Sequence, residues 1–298
     1  METKHTIVDV DADEVVLGLP SILTLLEKAW RSITLIFPHL WWAVAIVAIL
    51  QLPLVLMSED LESGIYESTE LIVLLLANIA SVLFSIVLIH YIIQLHIDST
   101  TANLSESLRW LGRRVGTVLL LMAIVFGITF TGIFLLLIPA LIFAVYNMFS
   151  YIVLVREEKR APVNYIIRST ELVYGAFWSL LGRVVGTLFI FWITLSVVTW
   201  LVGQVVTILF GAFPVLVVEV LLFGIFLVIQ MVGVVATVSV LLQLYDVRYA
   251  QTVDDQSRQL PVKRLRAMYR TAAVIGWLGF FSLTLGLFIM YITSLGLV

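Results

Sequence analysis

The residues that could take part in chemistry are few, and the most informative ones lie within long apolar runs. Asn78, Asn147 and Gln230 are amides inside such runs, and Glu219 is an ionisable residue five positions after Pro214. Polar groups at membrane depth typically mark a path for a substrate. Amides also hydrogen-bond neighbouring helices and so stabilise their packing. Both roles stay open for the three amides, and Glu219 is a candidate for the substrate path near the outer interface, where water reaches it.

Catalytic and metal-binding patterns are missing from the sequence. The chain has no cysteine, which excludes disulfides, thiolate metal sites and cysteine nucleophiles. His90 and His96 are six residues apart and so face different sides of a helix, which argues against a metal held within one helix. Haem ligation by histidines on facing helices stays open. No nucleotide-binding loop, GxSxG or HExxH motif occurs. We therefore expect no catalytic residues, no metal and no cofactor.

A glycine–arginine motif occurs twice. LGRRVGT at 111–117 recurs as LGRVVGT at 181–187, and only Arg114 against Val184 differs. Two glycines four positions apart let another helix backbone approach closely. They could instead permit a bend, or form a contact between two copies of the chain. The four glycines predicted to pack helices are Gly112, Gly116, Gly182 and Gly186.

Four arginines are candidates for binding an anionic lipid headgroup. Arg113 and Arg183 lie within the repeated motif, and Arg109 and Arg168 lie before apolar runs. A guanidinium at a membrane boundary can extend its side chain to reach lipid phosphates. The general preference of basic residues for the inner side of a membrane explains the same charges without specific lipid binding.

Composition places most of the chain in lipid. Hydrophobic residues make up 61% of the 298 residues and charged residues 12%, whereas a soluble domain has roughly 25% charged residues. In lipid only a helix, or a closed barrel, satisfies its own backbone, and a span needs about 20 apolar residues. The predicted fold class is an all-α polytopic membrane protein with about seven transmembrane helices. The apolar runs are 39–57, 71–95, 116–137, 139–155, 178–202, 214–244 and 272–297.

The distribution of basic residues predicts the topology. With seven spans and the N-terminus inside, all 17 lysines and arginines fall on the inner side. The first outer segment, SEDLESGIYESTE (58–70), is acidic and has no base. The sequence therefore predicts a multi-pass protein of a prokaryotic cytoplasmic membrane, with the N-terminus inside and the C-terminus outside.

Short amphipathic segments precede the odd-numbered spans. They begin at Pro20, Asn103, Pro162 and Pro261, and proline suits the first turn of a helix. We expect each to lie at the inner interface and to feed a span, with the repeated heptapeptide at the elbow. The repeat is explained by duplication of one unit, or by convergence on the same elbow.

The predicted organisation has three parts. Residues 1–19 form an acidic cytosolic tail, which is either solvated or docked on a basic partner. Residues 20–250 form a six-span membrane domain. Residues 251–298 add a further interfacial helix and a seventh span. The repeated units, each an interfacial helix plus a hairpin, are 20–97, 103–156 and 161–248.

One stretch resembles a known family. Residues 138–182 contain Ile138-Pro139, Glu157, Arg168-Ser169, Gly175 and Trp178, and LLQLYDVR at 241–248 adds an aromatic–Asp–x–Arg ending. This pattern resembles prokaryotic six-span proteins of the YciC-like type and the membrane domain of some glycerophosphoryl diester phosphodiesterases. The chain departs from it at Ala140, where glycine is expected, and in its extra C-terminal segment. The resemblance implies a membrane fold and no phosphodiesterase activity.

The sequence thus favours a non-enzymatic membrane scaffold or accessory subunit. Its expected partners are membrane lipids, anionic ones included, and another membrane protein or a second copy of the chain; no nucleic acid is expected. The alternative is a transporter or lipid-translocating permease with a polar site between spans two, four and six.

Overall fold

The computed structural model describes residues 18–56, 68–97, 102–134, 138–157, 161–210, 215–254 and 261–294. No strand occurs in these ranges, which confirms the all-α class. The helices are α1 (Ile22–Ile36), α2 (Trp41–Leu56), α3 (Ser68–Ile97), α4 (Leu104–Phe134), α5 (Ile138–Asn147), α6 (Ser150–Arg156), α7 (Pro162–Val173), α8 (Phe177–Phe210), α9 (Val215–Asp254) and α10 (Val262–Ser294). The acidic tail before residue 18 and most of the first outer segment lie outside the described residues.

Five helical stretches among the described residues are long and apolar enough to cross a membrane. The count rises to six if the bent pair α1–α2 forms one span. They correspond to the predicted second to sixth spans, and the protein is thus a helical membrane protein. The five stretches are Ile79–Ile97, Leu104–Ile133, Ile138–Arg156, Phe177–Leu209 and Val220–Thr252. The predicted seventh span falls mostly on α10, which is not among them, and stays a prediction.

A sharp bend separates α1 from α2. The hydroxyl of Ser21 caps α1 by accepting a hydrogen bond from the backbone N–H of Thr24 at 3.1 Å. Pro38 lies in a 3-10 turn, Phe37–His39, and the helices on either side of this turn are bent by 74°. An amphipathic helix followed by an elbow is therefore confirmed here. The side chains that α1 buries lie along one face: Leu25, Ala29, Ser32, Ile33 and Ile36.

The two heptapeptides do not form elbows. Residues 111–117 lie inside the uninterrupted α4, and residues 181–187 lie inside α8, so this prediction is wrong. Glycine weakens a helix by only about 1 kcal/mol relative to alanine, and an apolar environment favours unbroken backbone hydrogen bonding. The segments that begin at Asn103 and Pro261 likewise continue directly into α4 and α10. The chain turns before α8 at Gly175, whose φ of +78° suits a residue without a Cβ.

The chain contacts group into two compact units. The first contains residues 20–111 and 183–243, and the second contains residues 112–182 and 244–298. The boundaries at 111/112 and 182/183 fall inside the two heptapeptides, so the units do not follow the predicted repeats. The repeats as products of duplication stay a prediction.

In the first unit, α1 and α2 pack on α3. Trp42 contacts the edges of two aromatic rings of α3, those of Phe84 at 6.1 Å and Tyr91 at 5.7 Å between centroids. Further along the unit, Gly233 of α9 faces the ring of Trp192 of α8, since a Cβ on this glycine would lie 3.3 Å from it. Aromatic side chains thus fill the spaces that small residues leave.

In the second unit, α4 and α10 cross with their backbones in contact. A Cβ on Gly276 would lie only 1.7 Å from the carbonyl oxygen of Gly127. Thr131 donates a hydrogen bond to the carbonyl of Ala272, and the indole of Trp277 donates to the carbonyl of Ala123 at 2.9 Å. The contacts run in reverse order along the two helices, since Ala123 lies by Trp277 and Thr131 by Ala272, so the helices run in opposed senses where they cross. The predicted topology, in which both helices run outward, does not account for this order and stays a prediction.

Candidate functional site

Helix α7 is the centre of the second unit. Eight of its 12 residues are buried, from Val163 to Val173, and it packs on α5, α6 and α10. Pro162 at its first turn lacks the N–H that would otherwise be unpaired there. The prediction of an amphipathic helix from Pro162 is confirmed. Protein covers its apolar face, however, so α7 does not present that face to lipid as we expected.

Ser169 of α7 repairs a break in the neighbouring span. Helices α5 and α6 are separated at residues 148–149, where backbone groups lose their helical partners. The Ser169 hydroxyl accepts a hydrogen bond from the N–H of Phe149 at 3.1 Å and donates to the carbonyl of Tyr146 at 2.7 Å. Ser169 is fully buried. One hydroxyl thus satisfies both sides of the break.

Arg168 binds two carboxylates. Its guanidinium donates to Glu157 and to Glu171, each at 3.1 Å, and lies 5.6 Å from the ring centre of Tyr249. The Tyr245 hydroxyl donates to the same Glu157 carboxylate at 3.2 Å. Burial lowers the pKa of Arg168, but the two carboxylates outweigh burial and raise it above the usual value. The group therefore stays charged and paired.

Arg248 caps the C-terminal end of α7. Its side chain is buried and donates to the carbonyl of Leu172 at 2.7 Å and to that of Tyr174 at 3.1 Å. Basic side chains commonly satisfy the last carbonyls of a helix in this way. Beside it, Asp246 pairs with Arg156 at 3.4 Å. The aromatic–Asp–x–Arg segment therefore joins α9 to both α7 and α6.

Helix α10 is joined to α7 by two further hydrogen bonds. The hydroxyls of Thr170 and Tyr269 are 2.6 Å apart, and Arg266 donates to the side chain of Asn164 at 3.1 Å. Every polar link described so far in this subsection joins residues of the second unit, and removing one partner of such a buried pair would leave an uncompensated charge. The hydrogen bonds and ion pairs around α7, here called the α7 network, connect α7 to α5, α6, α9 and α10. Five of the residues that carry the family resemblance belong to it, namely Glu157, Arg168, Ser169, Asp246 and Arg248.

The predicted packing glycines have different surroundings. A Cβ on Gly186 would lie 2.8 Å from Cδ1 of Ile22, so this glycine does admit a close neighbour. At Gly112, Gly116 and Gly182, a Cβ would meet nothing within 4 Å in the described part of the chain. Their packing role stays a prediction that needs a partner.

The predicted lipid-binding arginines also divide into two groups. Arg168 is committed to the α7 network, and Arg183 donates to the carbonyl of Pro20 at 2.6 Å. Arg109 and Arg113 are exposed. Lipid binding stays a prediction, and the exposed pair is the better candidate for it.

The predicted substrate path is described at two of its four residues. Asn147 is buried, and neither its side-chain nitrogen nor its oxygen has a hydrogen-bond partner within the described residues. The same holds for the Oε1 atom of Gln230. Asn147 belongs to the second unit and Gln230 to the first. The side chains of Asn78 and Glu219 lie outside the described residues.

A buried polar cluster in the first unit was not predicted. His90 Nδ1 lies 2.9 Å from the Ser107 hydroxyl, which donates to Gln94 at 3.1 Å, and the His90 ring stacks on Trp110 with centroids 4.2 Å apart. These contacts join α3 to the start of α4. No group of three metal-ligating side chains occurs among the described residues. His90 and Gln94 are four positions apart on one helix face and could have indicated the cluster, but the sequence does not say which helix packs on that face.

Helix α8 is the most exposed of the candidate spans. Only 11% of its apolar stretch within Phe177–Leu209 is buried, against 33–50% in the other four. Its exposed side chains include Trp178, Phe189, Trp192, Trp200, Ile208 and Leu209. We call this surface the α8 face. It is wide, apolar and rich in tryptophan.

Comparisons with known proteins leave the chain without an assigned family. No protein-family model matches it, and no curated protein and no solved structure matches it either.

Proposed function

We propose that this protein is a non-enzymatic scaffold or accessory subunit of a prokaryotic cytoplasmic membrane, with its N-terminus inside. The α8 face carries the proposal, because it leaves one span almost uncovered by the rest of the chain. Large tryptophan and phenylalanine surfaces of this kind are typical of protein interfaces. The partner is another membrane protein, with lipid filling the remainder of the surface.

The α7 network supports the same proposal. Its charges form pairs within the chain, as Arg168 does with Glu157 and Glu171. A transport path would instead line a water-filled cavity with polar or ionisable groups. The groove lined by Leu120, Ala123, Ile124, Ala273, Val274, Trp277, Leu278 and Phe281 is apolar and contains none of the predicted path residues.

Native nanodiscs test the proposal. A photo-crosslinking residue replaces Trp200, which is 64% exposed, and the matched control replaces Leu195 on the same helix, which is 9% exposed. We expect a stoichiometric membrane protein to copurify and to crosslink at 200 but not at 195. Crosslinks at 200 to lipid alone, with no stoichiometric protein, would contradict an accessory role.

A transporter is the second candidate, and the unpartnered amide of Asn147 and the unpartnered Oε1 atom of Gln230 favour it. A buried amide without a partner costs about 1–3 kcal/mol in proteins, so a function that needs these groups would explain why they are kept. Asn147→Leu and Gln230→Leu separate the two functions. Increased thermal stability with unchanged partner binding supports the scaffold, whereas lost uptake of a solute or lipid into vesicles supports the transporter.

A further inference from the structure

The two copies of the repeated heptapeptide differ in whether another segment of the chain packs against them. In the second copy, Arg183 donates from Nε to the carbonyl of Pro20 at 2.6 Å. Gly186, one turn further along the helix, leaves the space in which Cδ1 of Ile22 lies. Both contacts are made within the first unit. The motif thus holds the start of an amphipathic helix through one backbone carbonyl and one aliphatic side chain.

In the first copy, the corresponding positions are open. Arg113 is exposed, and a Cβ on Gly112 or Gly116 would meet nothing within 4 Å among the described residues. The first copy differs from the second only by Arg114 in place of Val184 and keeps the same two glycines and the equivalent arginine. Both copies lie in uninterrupted helix, so their backbones present these residues with the same spacing.

We infer that residues 111–117 dock the start of an amphipathic helix from a partner membrane protein. The partner offers a free backbone carbonyl to Arg113 and an aliphatic side chain, like that of Ile22, to Gly116. The filled second copy is the observation that identifies this chemistry. Arginine suits the task because its planar guanidinium is less strongly hydrated than an ammonium group. This inference rests on the proposed accessory function and names the class of its partner.

The chain supplies its own probe. A synthetic peptide of residues 19–36 contains the Pro20–Ile22 segment that the second copy binds, and a photo-crosslinker replaces Ile22. It is added to the full chain in nanodiscs, with empty nanodiscs measuring its partition into lipid. We expect crosslinks at 111–117. Because a hydrogen bond to a charged group contributes about 1.5–3 kcal/mol, Arg113→Gln should weaken binding about tenfold or more.

Matched glycine variants complete the test. Gly116→Ile should abolish peptide binding, whereas Gly224→Ile should leave it unchanged because that glycine also has open surroundings. Gly186→Ile should lower the thermal stability, since its space is filled by Ile22. Equal binding by all variants would overturn the inference, as would crosslinks confined to 181–187.

A third overturning result is occupancy by the chain itself. A photo-crosslinker at the exposed Val115 that reacts with residues 1–17 of the same molecule would mean that the acidic tail fills the site. Failure of the docking site can be distinguished from failure of the proposed accessory function. Peptide binding without a copurified partner leaves the site but removes the accessory role. If a partner crosslinks at position 200 but the Arg113 and Gly116 variants bind the peptide as the unchanged chain does, the accessory role stands and the docking site at 111–117 is removed.

Discussion

Ser169 shows how a single side chain can decide the packing of a broken span. Its hydroxyl pairs with the N–H of Phe149 and the carbonyl of Tyr146, and neither backbone group has a helical partner at the break. The serine and its neighbour Arg168 are part of the pattern that resembles a known family. The sequence identified both residues but not their pairing with Glu157, Phe149 and Tyr146, which lie 11 to 23 positions away. Pairing at such separations depends on the tertiary fold.

The first prediction concerns this serine. Ser169→Ala should destabilise the protein by about 1–3 kcal/mol, because it leaves a buried N–H and a part-buried carbonyl unpaired. Thermal unfolding in detergent measures the change. Ser105→Ala is the control, since that side chain is exposed near the start of α4. Equal midpoints for the two variants would show that water replaces the hydroxyl at the break.

At the scale of whole helices, hydropathy predicted most of the architecture. Each of the predicted spans two to six corresponds to a long apolar helix, because burial in lipid demands a length and composition that a sequence displays directly. The elbows were harder to predict. Glycine permits a bend without requiring one, so the heptapeptides remain helical while the real turns occur at Pro38 and Gly175. The close approach of Gly127 and Gly276 was not predicted, because the sequence does not say which helix faces which.

The second prediction tests the crossing of α4 and α10. Gly276→Ala should destabilise the protein by about 3 kcal/mol or prevent folding, because its Cβ would overlap the carbonyl oxygen of Gly127. Gly112→Ala is the matched control in an open position of α4, where alanine should stabilise the helix by up to about 1 kcal/mol. Unfolding midpoints of both variants in detergent measure these changes. A neutral Gly276→Ala variant would mean that the two helices do not touch.

At the scale of the molecule, the position of the C-terminus depends on α10. The charge distribution predicts that residues 248–270 lie inside, and the apolar run 272–297 then predicts that the C-terminus lies outside. A reporter enzyme fused after Val298, active only outside the cytoplasm, should therefore be active. A reporter fused after Asp254 is the internal control and should be inactive. Inactivity at both positions would show that α10 enters the membrane without crossing it, in keeping with the reverse order of its contacts with α4.

The cap that Arg248 provides for α7 forms only after a delay during synthesis of the chain. The carbonyl of Leu172 leaves the ribosome 76 residues before the arginine that satisfies it. At roughly 5–20 residues per second, that delay is about 4–15 s. The intervening residues 183–243 belong to the first unit, so the second unit is interrupted in time as well as in sequence. During this interval the end of α7 lacks its cap, and a nascent chain arrested before Arg248 emerges from the ribosome should be more readily degraded than one arrested after Arg248 has emerged.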